Sequence, residues 1–102
     1  MDIILSDGVK EYIKSLSSTT EKAQIVQYLD RQATLGHRLK EPVSKPLRDG
    51  IQEIRPGPHR LLFFFYKGRI VIIHAFRKKT RETPDHEIKA AIGKKERWRR
   101  YE

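Results

Sequence analysis

The first third of the chain has apolar residues at helical spacing after one short strand-like run. Asp2 to Leu5 is a candidate strand, and Ser6 or Asp7 can cap a first helix. Gly36 is a typical residue to end a second helix over Thr20 to Leu35. The apolar positions that mark the two helices are Val9, Tyr12, Ile13 and Leu16, then, after the polar break Ser17 to Thr20, Ile25, Val26, Leu29 and Ala33. The pattern therefore predicts a helical hairpin.

The spacing changes to strand-like runs in the second half. His37 to Asp49 contains two prolines and predicts a loop. Lys67-Gly68 has the length and the glycine of a two-residue hairpin loop, whereas Pro56-Gly57-Pro58 predicts a wider, stiffer turn. The predicted strands are Ile51 to Arg55, Leu61 to Tyr66 and Ile70 to Phe76. The two longer runs are apolar on both faces, as expected of central strands.

A last helix follows the strands. Thr83 is a good N-cap and Pro84 a good first helical residue, and the charged tail 94–102 is expected to fray. The helix is expected to bury Ile88, Ala91 and Ile92. The order β-α-α-β-β-β-α predicts one α+β domain over residues 1–102, with a small antiparallel sheet, the helical hairpin packed on one face, and a C-terminal helix.

Composition narrows the class of protein. The chain has no cysteine, which excludes disulfides and thiolate metal sites. It has no apolar run near the roughly 20 residues of a membrane helix and no signal-peptide pattern, so we expect a cytoplasmic protein without a membrane partner. The four histidines lack paired ligand spacing, so neither a metal nor another cofactor is predicted.

The positive charge is concentrated in one part of the chain. The net charge is +9, yet residues 1–35 hold four Lys/Arg against five Asp/Glu, and residues 36–102 hold eighteen against eight. Solubility does not require such asymmetry, so we favour a polyanionic partner such as nucleic acid. An acidic partner protein fits equally well on charge alone.

Strand alternation brings several of these cations to one end of the predicted sheet. Glu53 and Arg55 share a face, and Arg55 and Arg60 flank the same turn, so their side chains can converge. The neighbouring loop and helix add Lys78, Lys79, Arg81 and His86. Such a pocket could hold a scissile phosphate, with Glu53 or His86 moving protons. Histidine suits that role because it titrates near neutral pH. In RNA the 2′-hydroxyl is a built-in nucleophile.

Each of these residues also has a purely structural interpretation. Arg55 and Arg60 could be solvated turn residues, Glu53 could pair with a neighbouring arginine, and His86 could simply be exposed. Arg60 is expected beside an exposed turn, so that its truncation would leave no cavity. Elsewhere we predict that His59 is a turn residue, that His74 is a hydrogen-bonded core histidine, and that at least two of Phe63, Phe64 and Phe65 are core.

The segment from Leu47 to Ile92 resembles the RelE/ParE superfamily of bacterial toxins, and within it the HigB-like, phage-derived branch. The resemblance rests on Leu47 to Arg55 (LRDGIQEIR), on His59-Arg60 before an apolar strand, on Ile72 to Thr80 (IIHAFRKKT) and on Thr83-Pro84. With the helical hairpin it covers nearly the whole chain. It implies a RelE-like fold and a toxin of a type II toxin–antitoxin system.

The resemblance also implies an activity and a site. The activity is metal-independent, ribosome-dependent cleavage of mRNA by 2′-hydroxyl attack. The resemblance places functional residues at Arg60, Arg55, Lys79 and His86, with Lys78 as an alternative to Lys79. Together with the residue pattern, it gives the predicted catalytic residues Arg60, Lys79, His86 and Glu53 and the predicted RNA-binding residues Arg55, Lys45, Arg48, Arg77, Lys78 and Arg81. Glu53 replaces a lysine of the RelE pattern, which leaves open which group is the general base. The implied partner is an antitoxin with a helix-turn-helix domain, and the toxin alone is expected to be a monomer.

Two other functions remain open at this point. A ParE-like toxin would inhibit gyrase without cleaving anything, and such an inhibitor does not need convergent acid–base groups. A non-catalytic RNA- or DNA-binding module would show salt-sensitive binding without cleavage.

Overall fold

A five-stranded sheet with helices on both faces forms the framework of the chain. The structure, a computed structural model, describes residues 1–36 and 44–101. Its elements are β1 (Asp2–Leu5), α1 (Asp7–Lys14), α2 (Thr19–Leu35), β2 (Ser44–Pro46), β3 (Gln52–Ile54), β4 (His59–Tyr66), β5 (Arg69–Arg77) and α3 (Asp85–Arg100). The predicted α+β fold class is confirmed.

The strands lie in the order β1-β5-β4-β3-β2. Strands β3 to β5 form the predicted antiparallel meander, and β2 extends it at one edge. Strand β1 joins β5 in parallel, with Ile3 opposite Ile70. The prediction of a loop over His37 to Asp49 is wrong for Ser44–Pro46, which is an edge strand. Three residues ending in proline give little strand pattern, and an edge position tolerates the missing N–H. Residues 37–43 of that predicted loop lie outside the described residues.

The two faces of the sheet bury separate cores. On one face Val9 of α1 and Ile25 of α2 pack against Ile54, Leu61 and Phe63. On the other face α3 covers a second cluster, which consists of Ile51, Leu62, Phe64, Val71, Ile73 and Ala91. We call these the hairpin face and the α3 face. Phe63 and Phe64 are fully buried, so the prediction that at least two of the three phenylalanines are core is confirmed.

The helix ends follow local capping chemistry with one exception. The Ser6 hydroxyl accepts from the Val9 N–H, and the Ser18 hydroxyl accepts from the Glu21 N–H. The prediction that Thr83 caps α3 is wrong. Pro84 occupies the cap position without a side-chain bond, because the Thr83 hydroxyl donates instead to the Glu53 carboxylate. Helix α3 continues through the charged tail to Arg100.

A bulge in β5 decides which side chains reach the α3 face. Leu62 of β4 lies opposite His74, but the next residue, Phe63, lies opposite Ile72, so Ile73 is the extra residue. Without it, Ile73 and Ala75 would share a face. With it, Ile73 is followed on the α3 face by His74, which can then reach α3.

Among the described residues no helix is long and apolar enough to cross a membrane.

Candidate functional site

The candidate site lies on the α3 face, where β3 ends, β4 begins and α3 starts. Glu53 is completely buried there. One carboxylate oxygen accepts from Arg55 Nε at 2.6 Å, and the other accepts from the Thr83 hydroxyl. The predicted proximity of Glu53 and Arg55 is confirmed. The two side chains form an ion pair, which is the structural interpretation of Glu53 given above. In this conformation the carboxylate of Glu53 is closed to solvent.

Arg60 lies on the same face of the sheet as Glu53, two residues before Leu62, the residue of β4 that pairs with Glu53. Its guanidinium NH1 donates to the Gly57 carbonyl at 3.1 Å and to the His59 carbonyl at 2.8 Å. Burial lowers the pKa of Arg60, and the positive charge of Arg55 lowers it further. Both acceptors are neutral carbonyls, Nε and NH2 lie outside these two bonds, and the carboxylate of Glu53 attracts the guanidinium through space. Such a group is suited to bind a phosphate.

The expectation that Arg60 lies exposed beside a turn is wrong. The residue is only 6% exposed, so truncation would remove packing and leave two carbonyls without their donor. The strand assignment missed this burial because β4 begins at His59, two residues earlier than the apolar run suggested.

His74 of β5 forms a second hydrogen-bonded group on the α3 face, with two residues of α3. The Nε2 of His74 lies 2.8 Å from Glu87 Oε1, and the Nδ1 of His74 lies 2.8 Å from Lys94 Nζ. Since a carboxylate can only accept and an ammonium can only donate, Nε2 donates to Glu87 and Nδ1 accepts from Lys94. Burial lowers the pKa of His74, and it also lowers the pKa of Lys94. The prediction that His74 is hydrogen-bonded is confirmed.

His86 lies on the solvent side of this hydrogen-bonded group, next to Glu87 in α3. Its side chain is 80% exposed, and its Nε2 is 3.8 Å from the second oxygen of Glu87. Glu87 therefore lies between the exposed imidazole of His86 and the largely buried imidazole of His74. The sequence pattern gives no sign of Glu87 or Lys94 as site residues, because both contact His74, which lies 13 and 20 residues away in β5.

Some of the predicted RNA-binding residues contact a carboxylate of the chain, and others are exposed cations of the loop after β5. Lys45 lies opposite Glu53 across the β2–β3 ladder, and Arg48 binds Asp85 of α3 at 2.6 Å, which lowers the pKa of Asp85. The side chain of Arg77 points to the hairpin face and binds Glu21. Within residues 1–36 and 44–101 no ion pair engages the three exposed cations of the loop after β5, Lys78, Lys79 and Arg81. These three remain available to a polyanion.

His59 lies behind the site, on the hairpin face. The prediction that it is a turn residue is wrong, because its side chain is completely buried. Its Nε2 lies 2.6 Å from Glu21 Oε1, and its Nδ1 lies 2.7 Å from the Tyr12 hydroxyl. Arg77 also donates to Glu21 Oε1, at 2.8 Å, and these two donors lower the pKa of Glu21. The sequence around His59 resembles a turn, and its partners lie 47 and 38 residues away.

Comparison with known proteins assigns this arrangement to a family. The model of a family described as phage derived protein Gp49-like matches residues 11–96. Comparison with the curated proteins gave no match.

Solved structures share the fold. A chain of the toxin–antitoxin complex RelBE2 from Mycobacterium tuberculosis has a TM-score of 0.61 and 20% identity, covering 76% of this chain and 96% of that one. A chain of the YoeB–YefM complex from Staphylococcus aureus has a TM-score of 0.63 and 17% identity, covering 78% and 98%. The predicted RelE-like fold is thereby confirmed.

Proposed function

This chain belongs to the Gp49-like family of phage-derived proteins, and on that basis we propose that it is the toxin of a type II toxin–antitoxin system and an mRNA endoribonuclease. The likeness to a chain of a toxin–antitoxin complex supports the first part. The second part rests on one observation. Arg60, a buried arginine whose guanidinium donates to two carbonyls, lies at the same end of the sheet as an exposed histidine and a loop of exposed cations.

In the proposed reaction Arg60 binds the scissile phosphate. The 2′-hydroxyl loses its proton and attacks phosphorus, the bond from phosphorus to the 5′-oxygen breaks, and that oxygen takes up a proton. The products are a 2′,3′-cyclic phosphate and a 5′-hydroxyl end. The guanidinium fork matches the phosphate oxygens and stabilises the charge of the pentacoordinate transition state. Lys79, with Lys78 and Arg81, holds the flanking backbone. No metal enters this scheme.

The exposure of the side chains supports a division of roles. We assign proton transfer to His86, because it is open to an RNA strand and the negative charge of Glu87 lies 3.8 Å from its Nε2. Glu53 is buried and bonded on both oxygens, so its proposed role is to hold Arg55 and Thr83 in place. This replaces the sequence-based expectation that Glu53 itself moves a proton.

The partners follow from the same proposal. An antitoxin with a helix-turn-helix domain would neutralise the chain, and the decoding site of the ribosome would present the mRNA. The excess of cations in residues 36–102 supports an RNA partner.

The test is induced expression in bacteria, with transcript ends that carry a 5′-hydroxyl mapped across the genome. Wild type, Arg60→Lys and Arg100→Lys are compared. Both substitutions keep the positive charge and remove the planar fork, but Arg100 is an exposed residue at the end of α3. We expect arrest and new ends inside coding regions for wild type and Arg100→Lys, and neither for Arg60→Lys.

Other outcomes would change the function. Growth arrest by the wild-type protein without new 5′-hydroxyl ends would point to a gyrase inhibitor. Absence of growth arrest when the wild-type protein is expressed would point to a binding module. A folded Arg60→Lys variant that still produces new ends would refute the assigned phosphate site. Circular dichroism of the purified variants checks that each one is folded.

A further inference from the structure

We infer that His59, held by Tyr12 and Glu21 of the helical hairpin, positions the guanidinium of Arg60 for the reaction. This inference rests on the proposed function of Arg60. It gives the hairpin a part in the chemistry, although the cations that face RNA lie elsewhere.

The first step is the linkage between the two faces of the sheet. His59 and Arg60 are consecutive in β4, so their side chains point to opposite faces. The His59 side chain is bound on the hairpin face, while its carbonyl accepts from Arg60 NH1 at 2.8 Å. Any rotation of the His59 peptide therefore moves the acceptor on which the guanidinium rests.

The second step concerns the bonds that Tyr12 and Glu21 make to the ring of His59, which we call the clamp. Tyr12 reaches Nδ1 from α1 and Glu21 reaches Nε2 from α2, so both ring nitrogens are bound by different helices. Glu21 can only accept, so Nε2–H donates to it. Burial raises the pKa of Tyr12, so the hydroxyl stays protonated and can donate to Nδ1. With both nitrogens bound, the buried ring has one orientation, and a fixed ring restrains its own backbone.

The third step concerns the other supports of Arg60. The Gly57 carbonyl lies in the turn 56–58, which the backbone bonds from His59 N to Pro56 O and from Lys78 N to Pro58 O also hold. Glu21 further binds Arg77, the residue before Lys78. One carboxylate of α2 therefore restrains both the start of β4 and the end of β5, on either side of the proposed phosphate site.

The experiment measures single-turnover cleavage of an mRNA by the purified protein on programmed ribosomes. Tyr12→Phe removes only the hydroxyl, and Glu21→Gln keeps an acceptor oxygen but loses the charge. Small displacements of a catalytic group are costly, so we expect the cleavage rate to fall by about tenfold to a hundredfold, with unchanged RNA affinity. Glu21→Ala, which keeps no acceptor, should fall further than Glu21→Gln.

A matched control separates positioning from stability. Ile13→Val shortens an apolar side chain that packs in the same hairpin core and takes no part in the hydrogen bonds of His59, and it lowers the melting temperature through lost packing. We expect it to cleave at the wild-type rate. If Ile13→Val loses as much activity as Tyr12→Phe, or if a folded Tyr12→Phe cleaves at the wild-type rate, the inference is overturned.

A second readout does not depend on cleavage. Nitrogen-15 NMR of the Arg60 guanidinium reports how fast its N–H protons exchange with water. The bonds to the Gly57 and His59 carbonyls should slow this exchange in wild type and in Ile13→Val, and Tyr12→Phe should accelerate it. If wild type cleaves no RNA, the proposed function fails, and this exchange rate still decides whether the clamp positions Arg60. Equal exchange in all variants would refute it.

Discussion

Glu53 illustrates how a single buried charge organises the site. Its carboxylate has no contact with water, which would be costly without partners. Arg55 and Thr83 supply those partners from a neighbouring position and from the segment before α3. A buried, fully bonded carboxylate is sensitive to the loss of any one donor, because the remaining charge is then uncompensated. The start of α3 is therefore fixed by a side chain of β3.

Replacing Thr83 tests this dependence. Thr83→Val keeps the shape but removes the hydroxyl that donates to Glu53, so we expect the free energy of unfolding to fall by about 1–3 kcal/mol. Urea denaturation measures it. Thr34→Val is the control, because the Thr34 hydroxyl bonds the Asp30 carbonyl on the exposed side of α2 and should cost at most about 0.5 kcal/mol. Equal losses would show that Glu53 does not need this donor.

His74 makes stability depend on pH. Its pKa is lowered in the folded protein by burial, so the unfolded chain binds a proton more readily. Its contribution is therefore fully present above the ordinary histidine pKa of about 6.5 and is lost as the pH falls through the lower folded value. We expect wild type to lose more stability than His74→Gln between about pH 7.5 and pH 5.

Thermal unfolding across that range provides the measurement. His86→Gln removes an exposed histidine of α3 and should follow the wild-type curve. If His74→Gln has the same pH dependence as wild type, the buried imidazole does not cause it.

At the scale of elements, the turn 56–58 links α2 to the site. Gly57 has a φ of 60°, and a Cβ there would collide with the side-chain oxygen of Gln24 in α2. Its carbonyl also accepts from Arg60. The turn needs glycine for its left-handed conformation, and a Cβ there would also force the end of the Gln24 side chain to move.

Two glycine substitutions separate strain from function. Gly57→Ala and Gly68→Ala both place an alanine at positive φ, at a cost of about 1–2 kcal/mol each. Gly68 lies in the β4–β5 turn, where a Cβ would meet nothing within 4 Å. We expect both variants to be destabilised in urea, and only Gly57→Ala to lose RNA cleavage. Full activity in Gly57→Ala would show that the turn does not position Arg60.

How far the sequence predicts these elements depends on the range of the interactions that decide them. Local rules gave the caps Ser6 and Gly36, and strand alternation placed Glu53 and Arg55 on one face. They failed for His59, whose neighbours are turn-forming but whose burial depends on α1 and α2. They also failed for Thr83, because a distant carboxylate competes for its hydroxyl. The β5 bulge, which turns His74 toward α3, has no local signal that we recognised.

At the scale of the whole molecule, charge separates the two parts of the chain. The N-terminal 35 residues are nearly neutral, and the remainder carries the whole surplus. An RNA strand that contacts open cations releases counterions, so its affinity must fall with salt. Cations already bound to carboxylates, such as Arg48 and Arg77, should contribute less to this dependence.

The salt dependence of RNA binding tests this division. A 2′-O-methylated single strand cannot be cleaved by its own 2′-hydroxyl, so equilibrium binding can be measured from low to high salt. We expect Lys79→Ala to reduce the slope of log affinity against log salt by about 0.7, the value for one lost phosphate contact. Lys10→Ala, an exposed lysine of α1, should leave the slope unchanged. A reduction for Lys10→Ala as large as for Lys79→Ala would indicate diffuse binding.

The order of the strands also bears on how the chain behaves at high concentration. The two longest strands, β4 with 8 residues and β5 with 9, lie inside the sheet, and the edges are the 4-residue β1 and the 3-residue β2. Pro46 in β2 has no N–H to offer an incoming strand. Short edges of this kind resist strand addition from another copy, which is a common beginning of aggregation. We therefore expect the sheet edges to offer a second copy little backbone with which to pair.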